Sequence, residues 1–389
     1  MPRTPTTPTE RRRISREPAD SQPTDLVTRR MHGHRLWGRP AGSLDEVIRG
    51  LGAMQAQEFA PAKWALAQRA SGVTVADVDA AFESGTLLRT HILRPTWHFV
   101  HAADLRWMLR ASAPRVHRAN AFQYRNTGVD DRTVADSRRV LDKVLGDGHH
   151  ATRRELATAF AEAGLPTAGP AFWAVLMSAE LDAVIVSGAM QGRQQTYALF
   201  DARVAPGPTP NDDEALAELS RRYLGMRGPA TLKDYCAWAS LTVTDARRGV
   251  DLIRDDVIVE EIDGLAYWSL AASESTGSNT ATVLEPPASP TVDLVQCYDE
   301  VLMGYSESRG ILAPTGAATL RPGWSTVLID GMVAGSWRFA AGTQAIDVKM
   351  DVSRDLSAAE RDSVTVAVDR LGAFLGRPAR WLSHHGSNR

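Results

Sequence analysis

A chain of 389 residues, 43% hydrophobic and 23% charged with a formal net charge of −2 at pH 7, has the make-up of a water-soluble globular protein with roughly two to four cores. Its two cysteines, Cys236 and Cys297, are too few for a disulfide framework or a four-thiolate metal site, which points to a reducing cytoplasm. The charge is unevenly spread: residues 89–154 hold 13 Arg and Lys against 6 Asp and Glu, whereas residues 255–310 hold 1 basic against 11 acidic residues. The first block suits phosphates, but charge blocks also simply solvate helix faces, so charge alone does not decide.

Residues 1–22, rich in Pro, Thr and Arg, read as a flexible tail. Arginines at 11–13 and 16 are followed by no apolar segment, so this is not a secretory signal, and no run approaches membrane-spanning length. A helix over 24–36 carries Arg29, Arg30 and Arg35. The next opens at Ser43 with Glu46 three residues on, a capping-box spacing, and its Leu44, Val47, Ile48 and Leu51 form one stripe. It gives out at Met54-Gln55-Ala56-Gln57-Glu58. Pro61 suits the first turn of a helix over 61–69, and Thr74 with Asp77 caps another through Phe82. Residues 86–91 and 96–100, around Leu93-Arg94-Pro95, read as a β-hairpin.

The order then recurs. A helix over 131–145, one capped by Thr152 with Glu155, and one over 169–181 lead to strands at 183–187 and 195–200. A helix over 212–224, two more capped by Thr231 with Asp234 and Thr242 with Asp245, and a hairpin of 257–262 and 265–270 about Asp263-Gly264 follow. Helix, capped helix, turn, helix and hairpin is the order of a winged helix-turn-helix. The expectation is an α+β, mainly helical chain with three tandem winged helices at 23–125, 126–205 and 206–272, whose capped second helices open at Ser43, Thr152 and Thr231. A Ser/Thr/Gly/Ala-rich linker over 271–282 leads to a small α+β region, 283–389, with strands at 291–296, 325–329, 332–338 and 346–350 and a helix over 358–375.

Two glutamines one residue apart, in an extended or turn segment, present both carboxamides to one side. Such amides donate and accept hydrogen bonds without titrating near neutral pH, so they position a water but do not strongly deprotonate it. Taken alone, Gln-x-Gln is more often a solvated pair.

The segments LGAMQAQEFAPAKWAL (51–66), LLRTHILRPTWHFVHAADLRWML (87–109), GRQQTYALFDARV (192–204) and CYDEVLMGY (297–305) resemble the winged-helix AlkZ-like DNA glycosylase family, and the likeness runs from about residue 24 to near the C-terminus. The resemblance implies removal of alkylated bases, including bulky adducts and, in some members, interstrand crosslinks; actinobacterial members protect producers from their own DNA-alkylating natural products. The family's catalytic motif is Gln-x-Gln in one branch and Gln-x-Asp in another, and Gln55 and Gln57 match the first. The chemistry suits two amides. An N7- or N3-alkylated purine is already cationic and leaves without protonation, so what remains is to stabilise an oxocarbenium-like sugar and deliver water. The implied enzyme is a monofunctional hydrolase with no lysine Schiff base and no cofactor; Glu58 is either the true base or, more economically, a flanking carboxylate on the opposite face. It would act as a monomeric, C-shaped cradle on double-stranded DNA carrying alkylation damage, in the cytoplasm at the nucleoid.

Candidate DNA contacts are Lys63 on the expected third helix of the first unit, Arg94 and His98 of the first hairpin, and Arg193, Gln194 and Gln195 at the tip of the second. Trp64 beside Lys63 reads as core. His98 stands opposite Trp97 and Phe99, either as a satisfied structural histidine or lining a lesion pocket. His91, His98 and His101 alternate faces without a nearby cysteine, so no metal is expected. Residues 170–181 are too apolar for groove reading and suggest an interdomain contact. Asp299 and Glu300 point to opposite faces, which favours structural roles. The rival class is a winged-helix transcription regulator bound to an operator, which needs a polar reading helix; a catalytically silent damage binder is the third reading.

Overall fold

The computed structural model describes residues 23–271, 284–313 and 323–382; the tail expected at 1–22 and nearly all of the linker expected at 271–282 lie outside the described residues. The elements run α1 (Pro23–Gly33), α2 (Leu44–Leu51), β1 (Ala53–Gln55), α3 (Phe59–Ala67), α4 (Val75–Ser84), β2 (Leu87–Ile92), β3 (Arg94–His101) and α5 (Ala102–Thr127). Then come α6 (Asp131–Leu145), β4 (Ala151–Thr152), α7 (Arg153–Glu162), α8 (Gly169–Leu181), β5 (Ile185–Ser187), β6 (Thr196–Leu199) and the single turn α9 (Phe200–Arg203). A third set comprises α10 (Asp212–Arg227), α11 (Leu232–Ala239), α12 (Val243–Leu252), β7 (Val257–Ile262) and β8 (Leu265–Leu270). The chain closes with β9 (Val292–Val295), the short α13 (Glu300–Met303), β10 (Ser325–Ile329), β11 (Met332–Ala341), β12 (Ile346–Val352), α14 (Ala358–Leu375) and β13 (Ala379–Leu382). The fold is mixed α+β.

Local chemistry sets the helix starts. Thr74 with Asp77, Thr152 with Glu155 and Thr231 with Asp234 each close a reciprocal capping box, and Ser43 accepts from the Glu46 amide. Each such cap is worth about 1 kcal/mol, enough to fix where a short helix begins. The first two sheets share one topology, β1-β3-β2 and β4-β6-β5, in which the strand between the first two helices pairs with the last strand of the hairpin. In the third set the single bridge Ala230–Trp268 takes that place beside the β7-β8 hairpin.

This topology corrects the helix ranking drawn from sequence. β1 lies between α2 and α3, so the Ser43 helix is the first of its unit, the helix bearing Lys63 is the second, and the third is α4, whose charges Asp77, Asp79 and Glu83 are all acidic. A three-residue strand is too short to show alternation, which is why β1 escaped the sequence. Residues 102–127 also form an unanticipated 26-residue helix with Pro114 inside it. The apolar α8 packs on α5 and β2 and brings Glu180, buried, onto buried His91.

The C-terminal sheet, ordered β13-β12-β11-β10-β9, shares its core with the first unit: Val292, Leu294 and Trp337 meet Val47, Ile48, Leu51 and Trp64, with Phe374 of α14 against the Trp64 ring. Trp64 is buried and donates to the Leu294 carbonyl at 2.7 Å, in keeping with its reading as core. A segment some 240 residues downstream thus lies directly behind the Gln-x-Gln loop.

Candidate active site

Gln55 ends β1, is 4% exposed, and stands opposite His98 of β3, which in turn stands opposite Thr90 of β2. Alternation along β3 puts Arg94, Thr96 and His98 on this side and Trp97 and Phe99 on the other. The backbone of Gln55 is held from the C-terminal region at both ends: its N–H donates to Glu300 Oε1 at 2.8 Å, and its carbonyl accepts from Gln296 Nε2 at 3.0 Å. Arg94 Nη2 lies 3.4 Å from Gln55 Oε1 and 3.2 Å from His98 Nε2, while Nη1 donates to the Met303 carbonyl at 3.0 Å.

Charge beneath Gln55 is fixed. Glu300 is fully buried, and burial works to raise its pKa, but the Arg227 and Arg94 guanidinium groups outweigh burial and hold the carboxyl down at about 2. Its Oε2 accepts from Arg227 Nε and Nη2 at 3.1 and 2.7 Å and from Trp238 Nε1 at 2.9 Å. Arg227 also donates to the carbonyls of Leu51 and Ala53, capping the end of α2 and the start of β1. Asp299 turns the other way, onto buried Arg69, as its alternation with Glu300 implied.

His98 is buried and neutral. Burial first, and then the Arg94 charge, push its pKa down to about 3. Nδ1–H donates to the Thr96 carbonyl at 2.8 Å, so Nε2 accepts from Arg94, and both ring nitrogens are used inside the protein. Of the two readings left open, the geometry favours a satisfied structural histidine behind Gln55. Neither His98 nor Glu300 exchanges a proton near neutral pH. Glu58, beyond the two amides, is exposed.

Gln57 is half-buried, and its carboxamide has no hydrogen-bond partner among the described residues. Its backbone carbonyl accepts from Arg89 Nη2 at 3.2 Å, and Arg89 Nε donates to the Ala56 carbonyl at 2.9 Å. The Arg89 guanidinium lies 4.3 Å over the Trp97 ring and donates from Nη1 to Gln195 Oε1 at 2.6 Å. Gln195, named as a candidate DNA contact, accepts from the arginine that braces the Gln57 loop. Arg193 and Gln194 sit exposed at the hairpin tip, with Gln191 and Gln194 paired across it. Lys63 is ion-paired with Asp79 of α4 at 2.6 Å. Arg94 has all its near acceptors inside the protein.

Sequence reasoning missed Arg89, Glu300, Gln296 and Arg227 as supports of the site. Glu300 lay within a segment already noticed, 297–305, but its partner at Gln55 is 245 residues away. Among the described residues no three His, Cys, Asp or Glu side chains are grouped to hold a metal ion, and no helix is long and apolar enough to cross a membrane.

The comparisons agree with this architecture. The family model described as "DNA glycosylase AlkZ-like" matches residues 48–374. An interstrand DNA cross-link repair glycosylase of Streptomyces sahachiroi is 24% identical over 354 residues, spanning 87% of this chain and 94% of the relative. The solved structure of the Streptomyces sahachiroi DNA glycosylase AlkZ has the same fold, with a TM-score of 0.74 at 20% identity over 94% of this chain and 100% of that one. The protein is thus a DNA glycosylase. Within that class it belongs to the AlkZ-like family.

Proposed function

We propose that the protein hydrolyses the N-glycosidic bond of cationic N7- or N3-alkylated purines in duplex DNA, bulky adducts and interstrand crosslinks of alkylating natural products included. Gln55 and Gln57 hold the attacking water. In the reaction, the water oxygen bonds to the anomeric carbon as the carbon–nitrogen bond breaks; the electron pair neutralises the departing purine, and a proton is released to solvent. The observation that carries this reading is the set of groups packed against Gln55: two arginines, a carboxyl titrating near 2 and an imidazole titrating near 3 supply no general acid and only very weak bases at neutral pH. A site so equipped selects for a base that is already charged, because positioning and electrostatics are what it supplies.

We read the thrice-repeated helix, strand or bridge, two helices and hairpin as three winged helices, 23–125, 126–205 and 206–272, followed by 283–389, together forming a monomeric cradle that works at the nucleoid. Arg193 and Gln194 at the exposed hairpin tip are its best-placed DNA contacts. Release of bulky adducts calls for an open surface at the glutamines rather than a deep single-base pocket. The test is base release from 7-methylguanine duplex, read as strand breaks after hot alkali. Gln55→Ala with Gln57→Ala should abolish release, and each single change should lose roughly 10- to 1,000-fold. Near-normal release from a folded double variant would refute the assignment.

A further inference from the structure

Arginine has donors and no acceptor, so only the oxygen of the Gln55 carboxamide can face Arg94 Nη2 at 3.4 Å. A flipped amide would set N–H against N–H. Arg94 is itself held against turning: Nη1 is tied to the Met303 carbonyl, while Nη2 also meets His98 Nε2 and lies 3.6 Å from Glu300 Oε1. His98 cannot act as a competing donor at Nε2, because its Nδ1–H is committed to the Thr96 carbonyl. The backbone of Gln55 is pinned by Glu300 and Gln296, so the side chain has little room to escape this arrangement.

We infer that Arg94 orients the Gln55 amide so that Gln55 presents N–H to the substrate water while Gln57 supplies the accepting oxygen. The two glutamines are then not interchangeable. The inference rests on reading them as the water-holding pair and assigns a separate job to each. The Gln55 amide nitrogen has no partner among the described residues, so its two donors remain for a bound molecule. The Gln57 carboxamide, equally unpartnered, turns its oxygen to the water. A water that accepts from Gln55 and donates to Gln57 keeps its second lone pair for the anomeric carbon. Arg94 is a positioning residue in this scheme and touches no substrate.

Carboxylates separate the two jobs, because a glutamate accepts but cannot donate when ionised. Single-turnover base release from 7-methylguanine duplex is measured for Gln55→Glu, Gln57→Glu and the double alanine variant, with DNA affinity measured alongside. Gln55→Glu should lose roughly 10- to 100-fold in turnover with affinity little changed, and Gln57→Glu, which keeps an accepting oxygen but replaces a neutral amide by a charge, should lose several-fold less. The reverse order, or equal losses in the two glutamates, would overturn the division of roles. Full release by the double alanine variant would instead overturn the underlying reading of the pair. Arg94→Met, compared at equal folded fraction by circular dichroism, should lower turnover and bring the Gln55→Glu and Gln57→Glu effects closer together; unchanged turnover would remove Arg94 from the scheme.

Discussion

Two hairpins of the same topology have been put to opposite uses. In β2–β3 all of β2 is buried, and the turn arginine, Arg94, folds back onto Gln55, Met303 and His98. In β5–β6 the tip from Gln191 to Gln194 is exposed, and Arg193 has no ion-pair partner among the described residues. The difference lies in what covers each hairpin. The first is roofed by α5, α8 and residues 296–303, so its polar side chains must satisfy one another. The second has solvent around its tip. One hairpin therefore holds the loop of Gln55 and Gln57 in place and the other keeps an exposed tip, with Arg89 and Gln195 joining the two.

The largest expected effect comes from breaking the buried hairpin's support. Glu300→Ala leaves Arg227 and Arg94 facing each other without a carboxylate, and should lower unfolding free energy in urea by about 3–5 kcal/mol. Glu300→Gln, which keeps the acceptor oxygens in part, should cost less. Arg89→Ala removes the donors to Ala56 and Gln57 and should reduce base release by roughly 10- to 100-fold, with a smaller change in stability. If release is untouched, the link from the second hairpin to the glutamines has no functional weight.

The pH behaviour follows from His98. Its pKa is lowered from the ordinary 6.5 to about 3, so the stability tied to its neutral form is complete above pH 6.5 and drains away as pH falls towards 3. Buried His34, lowered by burial and then by Arg69, acts in the same direction. Thermal midpoints should drop between pH 7 and 5, and drop less in His98→Gln. The rate of base release should show no limb from His98 or Glu300 between pH 5 and 8. The smallest effect belongs to the exposed hairpin: Arg193→Ala should weaken DNA binding uniformly and reduce the salt slope by about 0.9, the signature of one lost phosphate contact, with turnover unchanged.

What could be read in the chain beforehand was local. Ser43, Thr74, Thr152, Thr231 and Thr242 each mark a helix start because cap and partner lie three residues apart, and α6, α8 and α14 have the expected bounds. The family motifs pointed to the glutamines. The supports of the site stayed hidden because they span the chain: Glu300 to Gln55, Arg227 to Leu51, Gln195 to Arg89. The partners of Lys63 and Gln195 stayed hidden too, because a cation or amide near a loop gives no sign of the carboxylate or guanidinium it will meet.

Three fully buried arginines, Arg30, Arg69 and Arg227, reach Ser308, Asp299 and Glu300 respectively, so the earlier units are riveted to the segment 299–308. On the ribosome the chain grows from its N-terminus, and Gln55 emerges 245 residues before the carboxylate that holds its amide. For that part of its synthesis the nascent protein carries Gln55 without the two side chains, of Glu300 and Gln296, that hold its backbone. Arg30, Arg69 and Arg227 wait in the same way for Ser308, Asp299 and Glu300, so these attachments form only after residues 299–308 are made.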